Sequence, residues 1–586
     1  MKWNIKRLFF WVAFLIIPIL LFYLMEFYEH NPFSEVRQMA QFYNIVLFEL
    51  LALILFFLCG SAKIALRIET VLAMVFGLVN HYVLAFRSTP FVPWDILSVR
   101  TAASVATQYD FTPSFRVVLV TTLFVVCFIL LGWEKLIWKK RLLRVFPLLL
   151  CMGILFAFAG RLQDRKFQLD NYLYPHLFTP LYMMQVNGMA VTFVMDLAYM
   201  KVERPEGYDA LQCEETLREY ETDLAGQDYP NMIVIMDEAF SDLSLLGDVD
   251  ASEDYMPYVH SLQQGAENTV SGNLYVSVCG GNTANTEFEF LTGNTMAFLP
   301  AGSVPYQQYI QGEIPSLASH LESLGYATYA MHPYYASGWN RDVTYPRMGF
   351  SNMIFKEDMA FMEYVRKYVS DRSDFQEILH LLEEKQEGQP LFIFNVTMQN
   401  HGGYSDQYAN FTPDVTTGAD NLELNQYLSL IKLTDAGLEE LLTHLGNMDE
   451  KTVVVFFGDH QPGDAVTKCI NDSLTDSDYY YASEEDVIAN DTENPRYIVP
   501  YIIWANYDIE ESVGYDMSVN YLAANTLKIA GVPTDAYQNY LLQLQEEYPV
   551  ITSVYTGKSA DAREESLEEY RRLQYYQLFE KKAGEP

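Results

Sequence analysis

Four side chains far apart in the chain could together bind a divalent cation. Glu238 and Asp459 supply carboxylate oxygens. His460 supplies an imidazole nitrogen, and Thr283 supplies a hydroxyl that can also act as a nucleophile. Oxygen and nitrogen ligands of these kinds suit Mg, Mn and Zn ions. About two hundred residues separate the first ligand from the last, so the chemistry needs a fold that gathers them.

The second part of the chain alternates short apolar runs with helical patterns. Their continuous hydrophobicity indicates strands that are covered on both faces, so we expect an α/β domain with a mainly parallel central sheet flanked by helices. The predicted strands are Met232 to Met236, Leu274 to Val278, Tyr326 to Met331, Leu391 to Val396, Val453 to Phe457 and Ile498 to Trp504. The predicted helices are Ile314 to Leu324, Phe375 to Lys385, Leu424 to Leu445 and Val519 to Ala530.

Several polar residues follow these predicted strands directly. Glu238 lies two residues past the first strand, and Asp459 with His460 lies past the fifth. His332 and His401 follow the third and fourth strands. Ligands of parallel sheets bind beyond the carboxyl ends of the strands, so the pattern predicts a site at that edge.

Thr283 lies in a glycine-rich segment, Cys279 to Phe288, that leads into a predicted helix. One interpretation is structural: Thr283 is the N-cap of the helix, with Thr286 or Glu287 assisting. The other is chemical: the helix N-terminus and a bound cation stabilise an alkoxide, so that Thr283 attacks a phosphoryl group. The two interpretations are compatible.

The first 160 residues have a different composition from the remainder. Five apolar runs indicate a transmembrane domain of about five helices. Basic clusters near Lys2, Lys63 and Lys139 would all lie on one side, which the positive-inside rule makes cytoplasmic. We therefore expect a multi-pass cell-membrane protein with a cytoplasmic N-terminus. The runs are Leu8 to Met25, Tyr43 to Cys59, Val71 to Phe86, Val117 to Trp133 and Val145 to Ala159.

The remaining chain would then be extracytoplasmic. It is predicted to comprise an amphipathic connecting segment at 161–228, a catalytic domain at 229–557 and a charged helical tail at 558–586 on the solvated surface. The formal net charge of the protein is −37, and residues 1–160 carry 14 basic and 8 acidic residues, which leaves about −43 for the outer part. So acidic a surface excludes nucleic acid as a partner.

The outer domain resembles the alkaline phosphatase and sulfatase superfamily and, within it, the lipoteichoic acid synthase and phosphoglycerol transferase family. The resemblance implies that Glu238, Thr283, Asp459 and His460 bind one divalent cation, with Mn favoured over Mg or Zn. It also implies that Thr283 is the catalytic nucleophile. The segments that carry it are Asn231 to Phe240, Gly281 to Phe288, His332, Trp339 to Asp342, Asn400-His401 and Gly458 to His460.

The same resemblance implies the substrate contacts and the reaction. His332, Trp339, Arg341 and His401 would hold the substrate, with His401 or His332 assisting proton transfer. The enzyme would move a glycerol phosphate group from phosphatidylglycerol to a cell-surface glycolipid or polymer through a phospho-threonine. Gln461-Pro462 and the acidic stretch Asp464 to Asn494 depart from the family pattern, so the acceptor does not follow.

Three other functions stay open from the sequence. A phosphoethanolamine transferase has the same architecture, but its outer domain commonly carries several disulfides, and only three cysteines lie outside the apolar runs. A phosphodiesterase or sulfatase would use water in place of the acceptor. A non-catalytic surface protein is disfavoured by the complete set of predicted ligands.

Overall fold

The structure is a computed structural model. It describes residues 5–87, 90–96, 112–131, 137–138, 140–174, 180–200, 202–222, 228–300, 303–418, 421–470 and 493–581. The chain folds as two compact units. The first is Met1–Val202 with Pro300–Ser303, and the second is Glu203–Leu299 with Val304–Pro586.

The first unit is helical. Its helices are α1 (Ile5–Glu26), α2 (Gln38–Cys59), α3 (Ala62–Arg87), α4 (Phe115–Leu130), α5 (Arg141–Leu162), α6 (Arg165–Asp170), α7 (Pro180–Asn187) and α8 (Met189–Asp196), with 3₁₀ turns at Pro93–Ile96 and Leu197–Met200. Buried rings hold the long helices together, as where Tyr28, two residues after the end of α1, stacks on Phe124 of α4 with ring centroids 5.9 Å apart.

Two of these helices, α2 and α5, are long and apolar enough to cross a membrane, judged over the described residues. Two shorter apolar helices cover Phe14–Glu26 and Phe115–Leu130. Helix α3 is less apolar because it contains Lys63, Arg67 and Glu69. The prediction of about five membrane helices is therefore not confirmed, and the topology and orientation stay predictions. Lys2 and Lys139 lie outside the described residues.

The second unit is built on a nine-stranded sheet in the order β10-β2-β9-β8-β1-β7-β3-β4, with β11 also paired to β2. Only β9 runs antiparallel to its neighbours, β8 and β2, within this sheet. The sheet strands are β1 (Asn231–Asp237), β2 (Thr269–Tyr275), β3 (Ala327–His332), β4 (Asn352–Phe355), β7 (Leu391–Val396), β8 (Thr452–Gly458), β9 (Ile498–Ala505), β10 (Ser512–Val513) and β11 (Met517–Ser518). Two small hairpins are β5 (Tyr364–Val365) with β6 (Tyr368–Val369), and β12 (Val550–Ile551) with β13 (Thr556–Gly557).

Helices cover the sheet and the ends of the unit. They are α9 (Ala210–Arg218), α10 (Pro257–Gln263), α11 (Thr283–Thr292), α12 (Pro305–Gln308), α13 (Leu317–Ser323), α14 (Arg341–Arg347), α15 (Asp371–Glu384), α16 (Leu422–Gly446), α17 (Asp464–Thr467), α18 (Val519–Ala530), α19 (Ala536–Glu547) and α20 (Glu564–Phe579). The 3₁₀ turns are Leu243–Leu246, Met296–Phe298, Gly338–Asn340 and Pro495–Tyr497.

Alternate residues of the central strands pack on opposite faces of the sheet. Ile233 and Phe456 join a core with residues of α15 and α16. On the other face Phe290 of α11 packs against Phe394 and Phe457, with ring centroids 5.8 and 5.2 Å apart. Both faces are thus apolar, as the continuous runs predict, and the mainly parallel α/β fold is confirmed.

One predicted strand and the predicted tail need correction. The strand predicted at Leu274 to Val278 runs instead from Thr269 to Tyr275, because the polar Ser271 and Asn273 hide a strand that pairs with β9. The tail helix α20 is not fully solvated. It buries Tyr570 and Leu573, and Gln574 accepts a hydrogen bond from the backbone N–H of Thr295 at 2.8 Å.

Candidate metal centre

The candidate centre begins where two neighbouring parallel strands end. Asp237 of β1 is opposite Gly458 of β8, so Glu238 and Asp459 leave the sheet side by side. The backbone packs closely here: a Cβ built on Gly458 would lie 1.9 Å from the carbonyl oxygen of Phe240. Ala239 adopts a positive φ of 53°, and its N–H donates to Asp459 Oδ1 at 2.7 Å. This turn fixes both carboxylates at the carboxyl edge of the sheet.

Glu238, Asp459 and His460 form a compact buried cluster. One candidate ligand atom from each lies within 4.8 Å of the others. His460 Nε2 is 3.1 Å from Asp459 Oδ2 and 3.8 Å from Glu238 Oε1. All three side chains are buried. The sequence prediction that distant segments converge therefore matches the geometry, while the roles of the residues stay proposals.

The hydrogen bonds around the cluster leave ligand atoms available for a cation. Asp459 Oδ2 and His460 Nε2 are buried without a hydrogen-bond partner in the described part of the chain. The other ring nitrogen, His460 Nδ1, lies 2.9 Å from the carbonyl oxygen of Gln461, which accepts its proton. The lone pair is then on Nε2, as a metal-binding histidine requires. Buried polar atoms of this kind cost free energy unless a ligand satisfies them, so the site fits a divalent cation.

Electrostatics support the same conclusion. Burial and the neighbouring Asp459 carboxylate raise the pKa of Glu238 to about 8, against the opposing effect of His460. Two carboxylates held this close without an intervening cation destabilise each other. A divalent cation would remove that cost, because it stabilises both ionised groups.

Thr283 is the first residue of helix α11, and a turn of left-handed residues positions it. Gly280, Gly281 and Asn282 have φ values of 67°, 151° and 66°. Asn282, with no side-chain capping bond, is the N-cap. The N-cap interpretation of Thr283 is therefore wrong. Its hydroxyl instead donates to Glu238 Oε2 at 3.5 Å.

Helix α11 is also tied to the loop after β8. Thr286 donates its hydroxyl proton to the backbone carbonyl of Asp459 at 2.8 Å. The N–H of Gly280 donates to the carbonyl of Gln461 at 2.9 Å. The candidate nucleophile and the candidate ligands thus belong to one hydrogen-bonded assembly.

Arg341 lies in a second buried cluster centred on Glu287, which the sequence suggested only as an assistant to the helix cap. Its Nε is 3.0 Å from Glu287 Oε1, and its Nη2 also donates to that carboxylate. Tyr345 donates to Glu287 Oε2 at 2.7 Å. Burial lowers the pKa of Arg341, but the Glu287 carboxylate outweighs burial and the net shift is upward. Glu287 thus orients Arg341 and neutralises it.

His332 belongs to the same cluster. It is the last residue of β3, and its Nε2 accepts a hydrogen bond from Arg341 Nη1 at 3.0 Å. Its Nδ1 donates to the carbonyl of Val396 at 2.8 Å. Burial and the Arg341 charge hold its pKa well below the usual range, so the ring is neutral. Both ring nitrogens are thus engaged, one of them by Arg341, and the role of His332 in substrate binding or proton transfer stays a prediction.

The two remaining predicted substrate residues are accessible. Trp339 is partly exposed in the turn before Arg341, with a φ of 56°. His401 is exposed, and its Nδ1 lies 3.0 Å from the hydroxyl of Tyr368. Their exposure leaves them able to contact a substrate.

Comparison with known proteins identifies the family to which the chain belongs. A family model for sulfatases matches residues 230–532, more than half of the chain. The chain belongs to the sulfatase family. The resemblance derived from the sequence motifs is thereby confirmed at the level of the alkaline phosphatase superfamily.

The chain is similar to several bacterial proteins. A cyclic β-1,2-glucan modification protein of Rhizobium meliloti is 32% identical over 68% of this chain and 62% of its own length. Lipoteichoic acid synthase 1 of Bacillus subtilis is 25% identical over 36% of this chain and 33% of its own length. The chain thus spans about two thirds or less of these relatives.

Among solved structures, the sulfatase-family unit is similar in fold to a phosphoglycerol transferase of Streptococcus pyogenes in complex with sn-glycerol-1-phosphate. That structure has a TM-score of 0.50 and 22% identity, covering 65% of this chain and 99% of the other. Enzymes of the sulfatase superfamily use a divalent metal, which agrees with the buried cluster of Glu238, Asp459 and His460.

Proposed function

We propose that this sulfatase-family protein is a membrane-bound, metal-dependent phosphoglycerol transferase. It moves a glycerol phosphate group from phosphatidylglycerol to a cell-surface glycan, carried on a lipid or a polymer, through a covalent phospho-threonine at Thr283. The catalytic unit is extracytoplasmic, because its substrates are at the outer surface.

One observation carries this proposal. The hydroxyl of Thr283 stands 3.5 Å from Glu238, in a cluster whose Asp459 and His460 still have an unsatisfied ligand atom each. Among the described residues this hydroxyl bonds to a candidate metal ligand, so it is placed where a cation could activate it.

The cation would be held by Glu238, Thr283, Asp459 and His460, with Mn favoured over Mg or Zn. When bound, it would lower the pKa of the hydroxyl and neutralise phosphate charge. Arg341 has five N–H groups, and its bonds to Glu287 and His332 use Nε, Nη1 and Nη2. Nη1 and Nη2 each carry a second N–H, which would donate to a phosphate oxygen.

The reaction has two halves. Thr283 Oγ attacks the lipid phosphorus, the bond from phosphorus to the diacylglycerol oxygen breaks, and that oxygen takes up the proton lost by threonine. An acceptor hydroxyl then attacks the same phosphorus, the bond to Thr283 breaks, and threonine regains a proton from the acceptor. His401 relays this proton. Its ring is exposed, and its bond to Tyr368 among the described residues is made through Nδ1, which leaves Nε2 to carry the proton.

The donor and acceptor classes are supported by the relatives. One is named a lipoteichoic acid synthase, and the fold neighbour is named a phosphoglycerol transferase bound to glycerol phosphate. A third is named for the modification of cyclic glucan. A glycan acceptor also suits a protein of net charge −37, which repels a polyanion more than a neutral sugar.

The proposal is tested with the full chain in vesicles that contain head-group-labelled phosphatidylglycerol, Mn²⁺ and a neutral glucan. We expect diacylglycerol release, label on the glucan and, after a rapid quench, a glycerol phosphate adduct on Thr283. Thr283→Ala should reduce diacylglycerol release by at least about 1000-fold. Release by this variant at the parent rate would refute the covalent mechanism.

Parallel reactions separate the rival enzymes. Transfer from phosphatidylethanolamine in place of phosphatidylglycerol would identify a phosphoethanolamine transferase. Diacylglycerol release with free glycerol phosphate and unlabelled glucan would identify a phosphodiesterase. No reaction with any donor or with a sulfate ester would favour the non-catalytic alternative.

A further inference from the structure

Four tyrosines are grouped beside the candidate metal centre: Tyr364 is exposed, Tyr334 and Tyr335 are half-buried, and Tyr368 is buried beneath them. Tyr334 and Tyr335 follow β3, and Tyr364 and Tyr368 lie on the β5–β6 hairpin. The ring centroids are 4.6 Å apart for Tyr334 and Tyr335, and 6.3 Å apart for Tyr334 and Tyr368. We call these four residues the tyrosine surface.

The tyrosine surface connects the two histidines of the candidate centre. The ring of His332 is 6.3 Å from that of Tyr334, and the ring of His401 is 5.2 Å from that of Tyr368. Burial, Tyr334 and the Glu238 carboxylate raise the pKa of Tyr368, so this ring is also within electrostatic range of a candidate metal ligand. A molecule lying on the surface would therefore be close to His401, the proposed proton relay.

The hairpin that carries half of the surface is fixed in place. Arg366 at its turn has a φ of 55° and donates through Nη2 to the carbonyls of Gln399 and His401 at 2.9 and 2.7 Å. Asn410 Nδ2 donates to the carbonyls of Tyr364 and Arg366, both at 3.0 Å. A surface held by these bonds is preorganised, which reduces the entropy cost of binding.

The surface also offers both apolar and polar contacts. Tyr364 is 38% exposed, next to the exposed Phe361 and Met362. Lys356 Nζ lies 5.7 Å from the ring centroid of Tyr335 and 5.4 Å from that of Tyr364, and so joins the two halves of the surface. The accessible rings of the group are therefore Tyr334, Tyr335 and Tyr364, while Tyr368 supports them from below. Grouped accessible rings mark a binding site, and tyrosine presents an apolar face with a hydrogen-bonding tip.

A sugar ring has the matching chemistry, since it presents an apolar C–H face surrounded by hydroxyls. We propose that the tyrosine surface is the acceptor subsite and binds the sugar rings of a neutral glycan next to Thr283. The proposal rests on the function proposed above and deepens it by assigning the acceptor a place. The rival occupant is a membrane surface, which exposed aromatic and cationic groups also suit.

The test measures binding of a short neutral β-glucan oligosaccharide to the full chain in detergent, without a donor lipid. Tyr335→Ala and Tyr364→Ala should each raise the dissociation constant about tenfold or more, because each removes a ring contact. Tyr364→Phe keeps the ring and should bind within about threefold of the parent. Tyr515→Ala is the control, since Tyr515 is 39% exposed near the other edge of the sheet, between β10 and β11.

Each outcome decides between the possibilities. Unchanged glucan binding in both alanine variants, with the parent binding well, overturns the proposal. Loss of binding to vesicles of phosphatidylglycerol and phosphatidylcholine, with glucan binding intact, overturns it in favour of the membrane. Ring-dependent glucan binding without phosphoglycerol transfer keeps the subsite and refutes the proposed function. Transfer to glucan with a parental acceptor KM in both variants keeps the function and refutes the subsite.

Discussion

Two buried polar clusters lie at the carboxyl edge of the sheet, and they differ in how their charges are satisfied. In the cluster of Glu238, Asp459 and His460, like charges face each other and two ligand atoms have no hydrogen-bond partner among the described residues. In the cluster of Glu287 and Arg341, opposite charges meet and Tyr345 completes the carboxylate bonds. A cation would stabilise the first arrangement, whereas in the second the two charges balance each other within the protein.

This difference distinguishes residues that could bind a ligand from residues that hold another side chain in place. A set of residues that stays unsatisfied in the folded chain is prepared for a ligand, because the fold tolerates a cost that binding removes. A satisfied set holds its members in one orientation. Arg341 is therefore held in a fixed direction, whereas the cluster of Glu238, Asp459 and His460 could be completed by a cation.

The largest expected effect comes from breaking the satisfied cluster. Glu287→Ala leaves Arg341 buried without its carboxylate and should lower the free energy of unfolding by about 3–5 kcal/mol. Denaturant unfolding of the full chain in detergent measures this. Glu440→Ala, which removes an exposed partner of Arg372, should change little.

A double variant sharpens the interpretation. Glu287→Leu with Arg341→Met replaces the pair with apolar groups of similar size and should recover most of the lost stability. Parental stability of Glu287→Ala would mean that the ion pair does not support the fold.

The next effect concerns pH and a carboxyl two residues further along the same helix. Glu289 is fully buried, and burial raises its pKa to about 7 in spite of hydrogen bonds from Met296 and Ser277. The folded protein then binds more protons than the unfolded chain between about pH 4.5 and 7, so the free energy of unfolding falls as pH rises through that window. The loss from this group is about 3 kcal/mol.

The variant Glu289→Gln isolates this contribution. Its stability should exceed that of the parent above pH 7 and the difference should shrink toward pH 4.5, as measured by unfolding at a series of pH values. A difference that does not depend on pH would show that Glu289 is ionised throughout. Other buried carboxyls cancel in the comparison, because both proteins contain them.

The smallest effect is the stabilisation of the unsatisfied cluster by metal. At a free Mn²⁺ concentration 100 times the dissociation constant, the full chain should gain about 2.7 kcal/mol, and a chelator should reverse the gain. Asp459→Asn should lose most of this stabilisation, whereas Glu287→Gln should retain it. Equal stabilisation of the parent and Asp459→Asn would place the ion elsewhere.

The sequence predicted most of the catalytic unit for a physical reason. Strands β1, β7 and β8 are covered on both faces, so each is a continuous apolar run with its functional residue directly behind it. Strand β2 was misplaced because its polar residues interrupt that pattern. In the first unit, α3 combines an apolar run with charged residues, so apolar runs alone do not give the number of membrane helices.

The parts that could not be predicted are long-range pairings. Glu287 meets Arg341 across 54 residues, and no local pattern distinguishes it from an exposed helical glutamate. Its position one turn after Thr283 was the only available signal. Arg366 bonds to backbone carbonyls of the loop that carries His401. Every residue has a carbonyl, so the sequence does not show which one accepts a hydrogen bond. Partners of this kind become visible only when the chain is folded.

Helix α11 carries Thr283, Thr286 and Glu287 on its first turns, and these contact three different parts of the centre. This one helix therefore fixes the distance between the Thr283 hydroxyl and the Arg341 guanidinium. The loops that carry the tyrosines are not part of the helix. Substitutions in those loops could thus change which acceptor binds, while the proposed reactive groups keep their positions.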